Sequence, residues 1–423
     1  MRKRRTIGSA EAKAAKKNRE DVDASVATMS HAELRTRLEE LGDKPGPIDD
    51  SNRNLYNRML TKKLATVAES SQREEKEEEV ETKETPAVTS KERGGKKSKE
   101  GVSQKGKTAQ QKVKKLGIEG VVAASYTPFN TDGSLNLAMV EPYANYLIRL
   151  GVAGVFVNGT TGEGVLMTVD ERKAMVEAWA KAVKKRVKVI VHVSSTSLKD
   201  CQEMARHASS LDGVDAIAAM PPLVFSAKTI EELLVHLECI ASSAPRTPLL
   251  LYHHSDMSPL NFSIEEFLRQ ADKRLPTFVG VKYTDYNVDV FARCLNLGRY
   301  EMLYGRDEQL LASLAMGAVS CVGSTYNFTG SIPAKIFAAF KSGDIATAQK
   351  EQLKSQLAIK TYNDVGRRIG CASPHALGKA IMHMIGCPVG APRLPSKPLT
   401  DAQYKELKRS FEEIGFFDWH QAS

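Results

Sequence analysis

Long apolar runs are missing from this sequence. No stretch approaches the roughly 20 residues that cross a bilayer. The opening MRKRRTIGSA has no hydrophobic segment after its basic start, so neither a membrane anchor nor a secretory leader is expected. Cysteine is sparse. Cys201, Cys239, Cys294, Cys321, Cys371 and Cys387 stand far apart, without a CxxC pair or a histidine at ligand spacing. That argues against a zinc module or a disulfide scaffold and fits free thiols in a reducing compartment. The phosphate-loop pattern ending in Gly-Lys-Ser/Thr and the dinucleotide pattern Gly-x-Gly-x-x-Gly are both absent. A soluble, intracellular protein is expected.

What is present divides unevenly. The formal net charge is +9, yet residues 1–115 alone hold 28 Lys and Arg against 20 Asp and Glu, so the remaining chain is nearly neutral. Basic clusters at Arg2–Arg5, Lys13–Arg19 and Lys91–Lys99 suit nuclear import or a phosphate-seeking arm, and equally a solvated tail. The nucleus is the expected location, with the cytoplasm as the alternative. Composition and pattern give five segments: a basic disordered tail (1–27), a small helical module (28–68), a disordered charged linker (69–115), a (β/α)8 barrel (116–332) and C-terminal helices (333–423).

The module carries real pattern. Ser30 followed by Glu33 forms a capping box, and Leu34, Leu38 and Leu41 share one helical face, which predicts a helix over about His31 to Leu41. A second apolar stripe, Leu55, Tyr56, Met59, Leu60 and Leu64, follows the turn DKPGPI. Two short helices make a marginal core, so a partner-dependent module is expected.

Downstream of Gly117, eight short strand-like runs recur at intervals of roughly thirty residues with amphipathic stretches between them, the repeat of a closed parallel barrel. In such a barrel the chemistry sits where the strands end. Strand six is read as ending at Lys282, with Phe278, Gly280 and Lys282 on the inner face. An amine there is desolvated and partly unprotonated, as Schiff-base chemistry requires, whereas a lysine reaching solvent is the common alternative. Strand five is read as ending at Tyr252, whose hydroxyl could relay protons to that amine. Strand two runs into Asn158-Gly-Thr-Thr-Gly-Glu-Gly164, where Thr160, Thr161, backbone amides and a helix expected to begin directly afterward suit a carboxylate. GRDEQLL and GSTYN follow strands seven and eight. Asp307 and Ser324 can be helix caps and Glu308 a first-turn acid, or together they can grip a polyol chain. His253 and His254 alternate faces and cannot easily share a metal. Asp344, Ser373-Pro374 and Thr400 mark starts within three or four helices over Pro333 to Phe417.

Taken together, SYTPF, GTTGEG, YH, GVKYTD, GRDEQLL and VGSTYN resemble the N-acetylneuraminate lyase branch of the dihydrodipicolinate synthase superfamily, from about Gly117 to beyond Ala391. The resemblance implies a class I aldolase that cleaves N-acetylneuraminate to N-acetylmannosamine and pyruvate, as a homotetramer and with neither metal nor organic cofactor. It implies Lys282 as the imine-forming residue and Tyr252 as the proton shuttle. Thr160 and Thr161 would hold the pyruvate carboxylate, and Thr284, Gly305, Asp307, Glu308, Gly323 and Ser324 would contact the sugar. Met257 stands where the synthase branch commonly has an arginine, which disfavours dihydrodipicolinate synthesis. The N-terminal module, with its PGPI turn, resembles the LEM domain. That implies binding of barrier-to-autointegration factor through Lys44, Pro45, Gly46, Pro47 and Ile48. A SAP-like hairpin and a plain helical hairpin are the rivals. The alternative function is a weak or inactive barrel whose role is LEM-type interaction with chromatin or lamina.

Overall fold

Runs such as Gly-Val-Val-Ala-Ala and Lys-Val-Ile-Val-His are short, β-rich and buried on both faces, which suits parallel strands covered by helices. The computed structural model describes residues 25–26, 28–40, single positions between 48 and 64, 115–371 and 373–421. The chain divides into two compact units, Met1–Lys105 and Gly106–Ser423.

In the first unit, α1 (His31–Glu40) opens with the expected capping box: Glu33 N–H donates to Ser30 Oγ, and Ser30 N–H donates to Glu33 Oε2 at 2.7 Å. Leu34 and Leu38 are buried with Val26 and Leu60, and Ile48, Tyr56 and Leu64 pack against them. Lys44, Pro45, Gly46 and Pro47 lie outside the described residues, as do the tail up to residue 24 and most of the expected linker.

In the second unit the elements alternate: β1 (Gly120–Ala124), α2 (Val140–Arg149), β2 (Gly154–Val157), α3 (Val169–Val183), β3 (Lys188–His192) and α4 (Leu198–Ser210). Then come β4 (Ala216–Ala219), α5 (Ile230–Ala241), β5 (Leu249–His254), α6 (Ile264–Arg274), β6 (Phe278–Thr284) and α7 (Val288–Asn296). β7 (Glu301–Tyr304), α8 (Leu310–Ala315) and β8 (Ser320–Gly323) complete a closed parallel barrel in sequential order. Helix starts are written locally: Thr168, Ser197, Thr229 and Ser263 each accept a backbone N–H of their own first turn.

Alternation sorts the strand residues. Val122, Ala124, Phe156, Ile190, Leu250, Tyr252, Leu303 and Val322 fill the cylinder, whereas Val121, Val155, Val189, Leu249, Val281 and Tyr304 pack outward against the helices. One position departs from expectation. Phe278 lies in the outer layer against Phe267 and Tyr300, because the pairing of β5 with β6 shifts between Leu249 and Leu250 and Val279 takes the inner place.

Four longer helices follow, α9 (Ile332–Ser342), α10 (Ile345–Arg368), α11 (Pro374–Met384) and α12 (Asp401–Glu413), and then a single helical turn, Asp418–Gln421. Asp344, Ser373 and Thr400 cap α10, α11 and α12, as their sequence predicts. Among the described residues no helix is long and apolar enough to cross a membrane.

Candidate active site

The pairing of β5 with β6 sets Tyr252 beside Lys282, His253 beside Tyr283 and His254 beside Thr284. Both strands run two residues further than the sequence suggested. His254 and Thr284, not Tyr252 and Lys282, are therefore the last strand residues, and all four of these inner positions face one cavity of about 240 Å³.

Lys282 is 4% exposed, and its Nζ lies 3.8 Å from the centroid of the Tyr252 ring and 3.9 Å from that of Phe156. Burial brings its amine down to about 7, although the Asp307 carboxylate pulls it back upward. Near neutrality the free base and the ammonium therefore coexist. Burial also pushes the Tyr252 phenol up to about 12, which the Thr160 hydrogen bond partly offsets, so the phenol is protonated at rest. Its oxygen sits 3.1 Å from Thr160 Oγ1.

Thr160 and Thr161 line the same cavity. Their loop is held from its start. Asn158, at φ 61°, accepts from His192 Nδ1–H at 3.0 Å and donates through Nδ2 to Arg172 O, while Arg172 donates to the carbonyls of His192 and Ser194. The helix expected directly after the loop does not begin there. A single 3-10 turn (Gly164–Leu166) intervenes, and α3 starts at Val169 with its first turn already closed by the Thr168–Glu171 capping box. A carboxylate here would meet hydroxyls and loop amides, not a helix end.

The sugar-side residues also converge. Thr284, Gly305, Asp307, Glu308, Gly323 and Ser324 all line the cavity. Asp307 caps no helix of its own: its Oδ2 accepts from Thr325 N–H at 2.7 Å and Thr325 Oγ1–H at 2.5 Å, bracing the loop after β8. Burial lifts this carboxyl to about 6, with the Thr325 bonds opposing. Ser324 makes no capping bond either. Glycine is required at two places: a Cβ on Gly305 would stand 2.2 Å from Thr284 Oγ1, and one on Gly323 would stand 2.0 Å from Asp307 Oδ1. The Thr284 hydroxyl bears on the Tyr252 phenol but has no well-formed hydrogen bond.

Sequence reasoning missed several lining residues. His254 follows Tyr252 by two and so shares its face; burial, helped by the Arg306 and Lys282 charges, takes its imidazole down to about 4. Arg306 lines the cavity, donates to Asp256 Oδ2 at 2.6 Å, and lays its guanidinium carbon 3.8 Å from the Tyr286 ring centroid. Ile359, Tyr362 and Asn363 cover the mouth from one face of α10. Gln356 of that helix also donates to Glu308 O at 2.8 Å.

Similarity to known proteins agrees with this geometry. The profile of the "Dihydrodipicolinate synthetase family" matches residues 117–414. An N-acetylneuraminate lyase of Gallus gallus is 38% identical over 303 residues, covering 70% of this chain and 96% of its own. That of Homo sapiens is 36% identical over 314 residues, covering 72% and 96% respectively. The solved N-acetylneuraminate lyase of Proteus mirabilis superposes with a TM-score of 0.65 at 35% identity, over 70% of this chain and 99% of its own. With the family profile spanning most of the chain and such relatives covered almost end to end, the protein belongs to the dihydrodipicolinate synthetase family.

Proposed function

We propose that the barrel is an N-acetylneuraminate lyase acting through a Schiff base on Lys282. The observation that carries this is a buried amine, brought down to about 7, set against the Tyr252 ring in a cavity it shares with Thr160 and Thr161. The steps follow from the charges. Free Lys282 adds to the C2 ketone of the open-chain sugar acid, whose carboxylate rests on Thr160 and Thr161. Tyr252 gives its proton to the departing carbinolamine hydroxyl, which leaves as water. The resulting phenolate lies beside an iminium cation, an arrangement that offsets the burial of both. It then takes the proton of the C4 hydroxyl as the C3–C4 bond breaks. The bonding electrons flow into the iminium as an enamine, and N-acetylmannosamine departs. Protonation of the enamine and hydrolysis return pyruvate and Lys282. Asp307, Glu308, Ser324, Thr284 and the backbones of Gly305 and Gly323 hold the sugar hydroxyls.

Borohydride added with pyruvate should fix a covalent adduct on Lys282, and Lys282→Met should abolish it. Normal turnover by Lys282→Met would remove this mechanism.

The N-terminal module, 28–68, is assigned a second role as a LEM-type partner-binding unit that holds the lyase in the nucleus. The Ser30–Glu33 box and the packing of Ile48, Tyr56 and Leu64 on Leu34 and Leu38 support it. Capture of barrier-to-autointegration factor by the full chain, lost on scrambling Lys44–Ile48, is the expected outcome. Equal capture by the scramble would dispose of the role. A homotetramer is also assigned, on the resemblance to the lyase branch alone. A monomer by sedimentation would contradict it.

A further inference from the structure

The carboxylate loop is held a second time, from its far side, by a helix that contributes little to the cavity. Glu163, at φ 54°, follows the two threonines and turns its carboxylate away into protein. There it meets Lys379 of α11 at 2.7 Å, with side-chain exposures of 0% and 1%. Both ends of the ion pair are tied further: Lys379 Nζ also donates to Thr127 O at 2.8 Å and Ala391 O at 2.9 Å, and Glu163 Oε2 accepts from Arg393 N–H at 2.7 Å, while Glu163 Oε1 has the ion contact alone and no well-formed hydrogen bond. Thr127 completes the ring by donating through Oγ1 to Gly162 O at 2.5 Å. One turn earlier on α11, His375 Nε2–H donates to Thr160 O at 2.8 Å, the carbonyl of the residue whose hydroxyl touches Tyr252.

An ion pair this dry is a poor source of stability, since apolar residues of similar volume often serve as well or better. What a pair tied at both ends supplies is a fixed position. Here the fixed object is the loop between Asn158 and Gly164, and a hydroxyl displaced by an ångström can cost orders of magnitude in binding or rate.

Resting on the lyase reading above, we propose that Lys379 and His375 are positioning residues: α11, through the Lys379–Glu163 pair and the His375–Thr160 bond, sets the loop that receives the 2-oxo acid carboxylate. Neither side chain touches substrate. Their effect is therefore expected on affinity for the carboxylate, with the chemistry of Lys282 left intact.

The test is borohydride trapping of the full chain at graded pyruvate concentrations, for the wild type, Lys379→Met, Glu163→Gln, the double Glu163→Gln/Lys379→Met and His375→Ala. The expected result is a half-saturating pyruvate concentration raised about tenfold or more in the charge variants and about threefold in His375→Ala. At saturating pyruvate the adduct should still form on Lys282, with an unchanged pH midpoint. The half-buried His375 makes its variant the safeguard should the charge variants fail to fold. Half-saturation within about twofold of wild type, in the double variant or in His375→Ala, overturns the inference while leaving the lyase reading standing. Absence of any wild-type adduct overturns the Lys282 reading, and this inference with it.

Discussion

Burying an ammonium costs free energy that the rest of the barrel must supply, and at Lys282 that cost has a sign and a pH window. The folded amine titrates near 7 and the unfolded one near its ordinary 10.5. Below pH 7 both states are protonated and the folded protein bears the full penalty. Between about 7 and 10.5 the unfolded chain binds the extra proton, so stability rises with pH. Lys282→Met should therefore melt higher than the wild type at pH 6, with the difference narrowing toward pH 10; an unchanged difference across that range would place the amine in water. Gly323→Ala is expected to push Asp307 off Thr325 and weaken sugar binding at least about tenfold with pyruvate trapping retained. Steady-state kinetics with both ligands would read that split, and equal affinity for the sugar would contradict it. Lys282 and Tyr252 were legible because strand alternation and the position of strand ends in a barrel are local rules. His254 was not, because the sequence reading ends the strand at Tyr252, two residues short of its end in the fold. Nothing local marks Arg306 as a lining residue, since its direction depends on Asp256 and Tyr286.

At the scale of elements, α11 shows what pattern conveys and what it withholds. Ser373-Pro374 announces its start, but its purpose lies in a glycine. Mid-helix glycine costs roughly 1 kcal/mol relative to alanine, yet a Cβ at Gly378 would lie 1.8 Å from the Tyr126 hydroxyl. Gly378→Ala should destabilise the protein by about 1–3 kcal/mol in denaturant melts, because α11 must back away from the barrel wall. An alanine variant of wild-type stability would show that this contact relaxes freely. Likewise, the eight strands were written in short, mostly apolar runs, whereas the slip that turns Phe278 outward belongs to the pairing of β5 with β6 and not to either strand alone. The contribution of Ile359, Tyr362 and Asn363 to the cavity mouth depends on where α10 docks, which its own periodicity does not encode.

For the whole molecule, composition separates a basic N-terminal part, residues 1–115, from a nearly neutral remainder, and contacts divide the chain into two compact units, Met1–Lys105 and Gly106–Ser423. Every cavity residue named above lies in the second. Deleting residues 1–105 should leave pyruvate trapping and its pH midpoint unchanged while abolishing any capture through the module. Loss of trapping on deletion would show that the first unit takes part in the site. The central claim remains the Schiff base, and its most direct measurement is the rate of borohydride trapping by pyruvate as a function of pH, with peptide mapping of the adduct. The account predicts a single labelled peptide containing Lys282 and a rate that rises through a midpoint near 7. Label on another lysine, or a midpoint near the ordinary lysine value of 10.5, would contradict it.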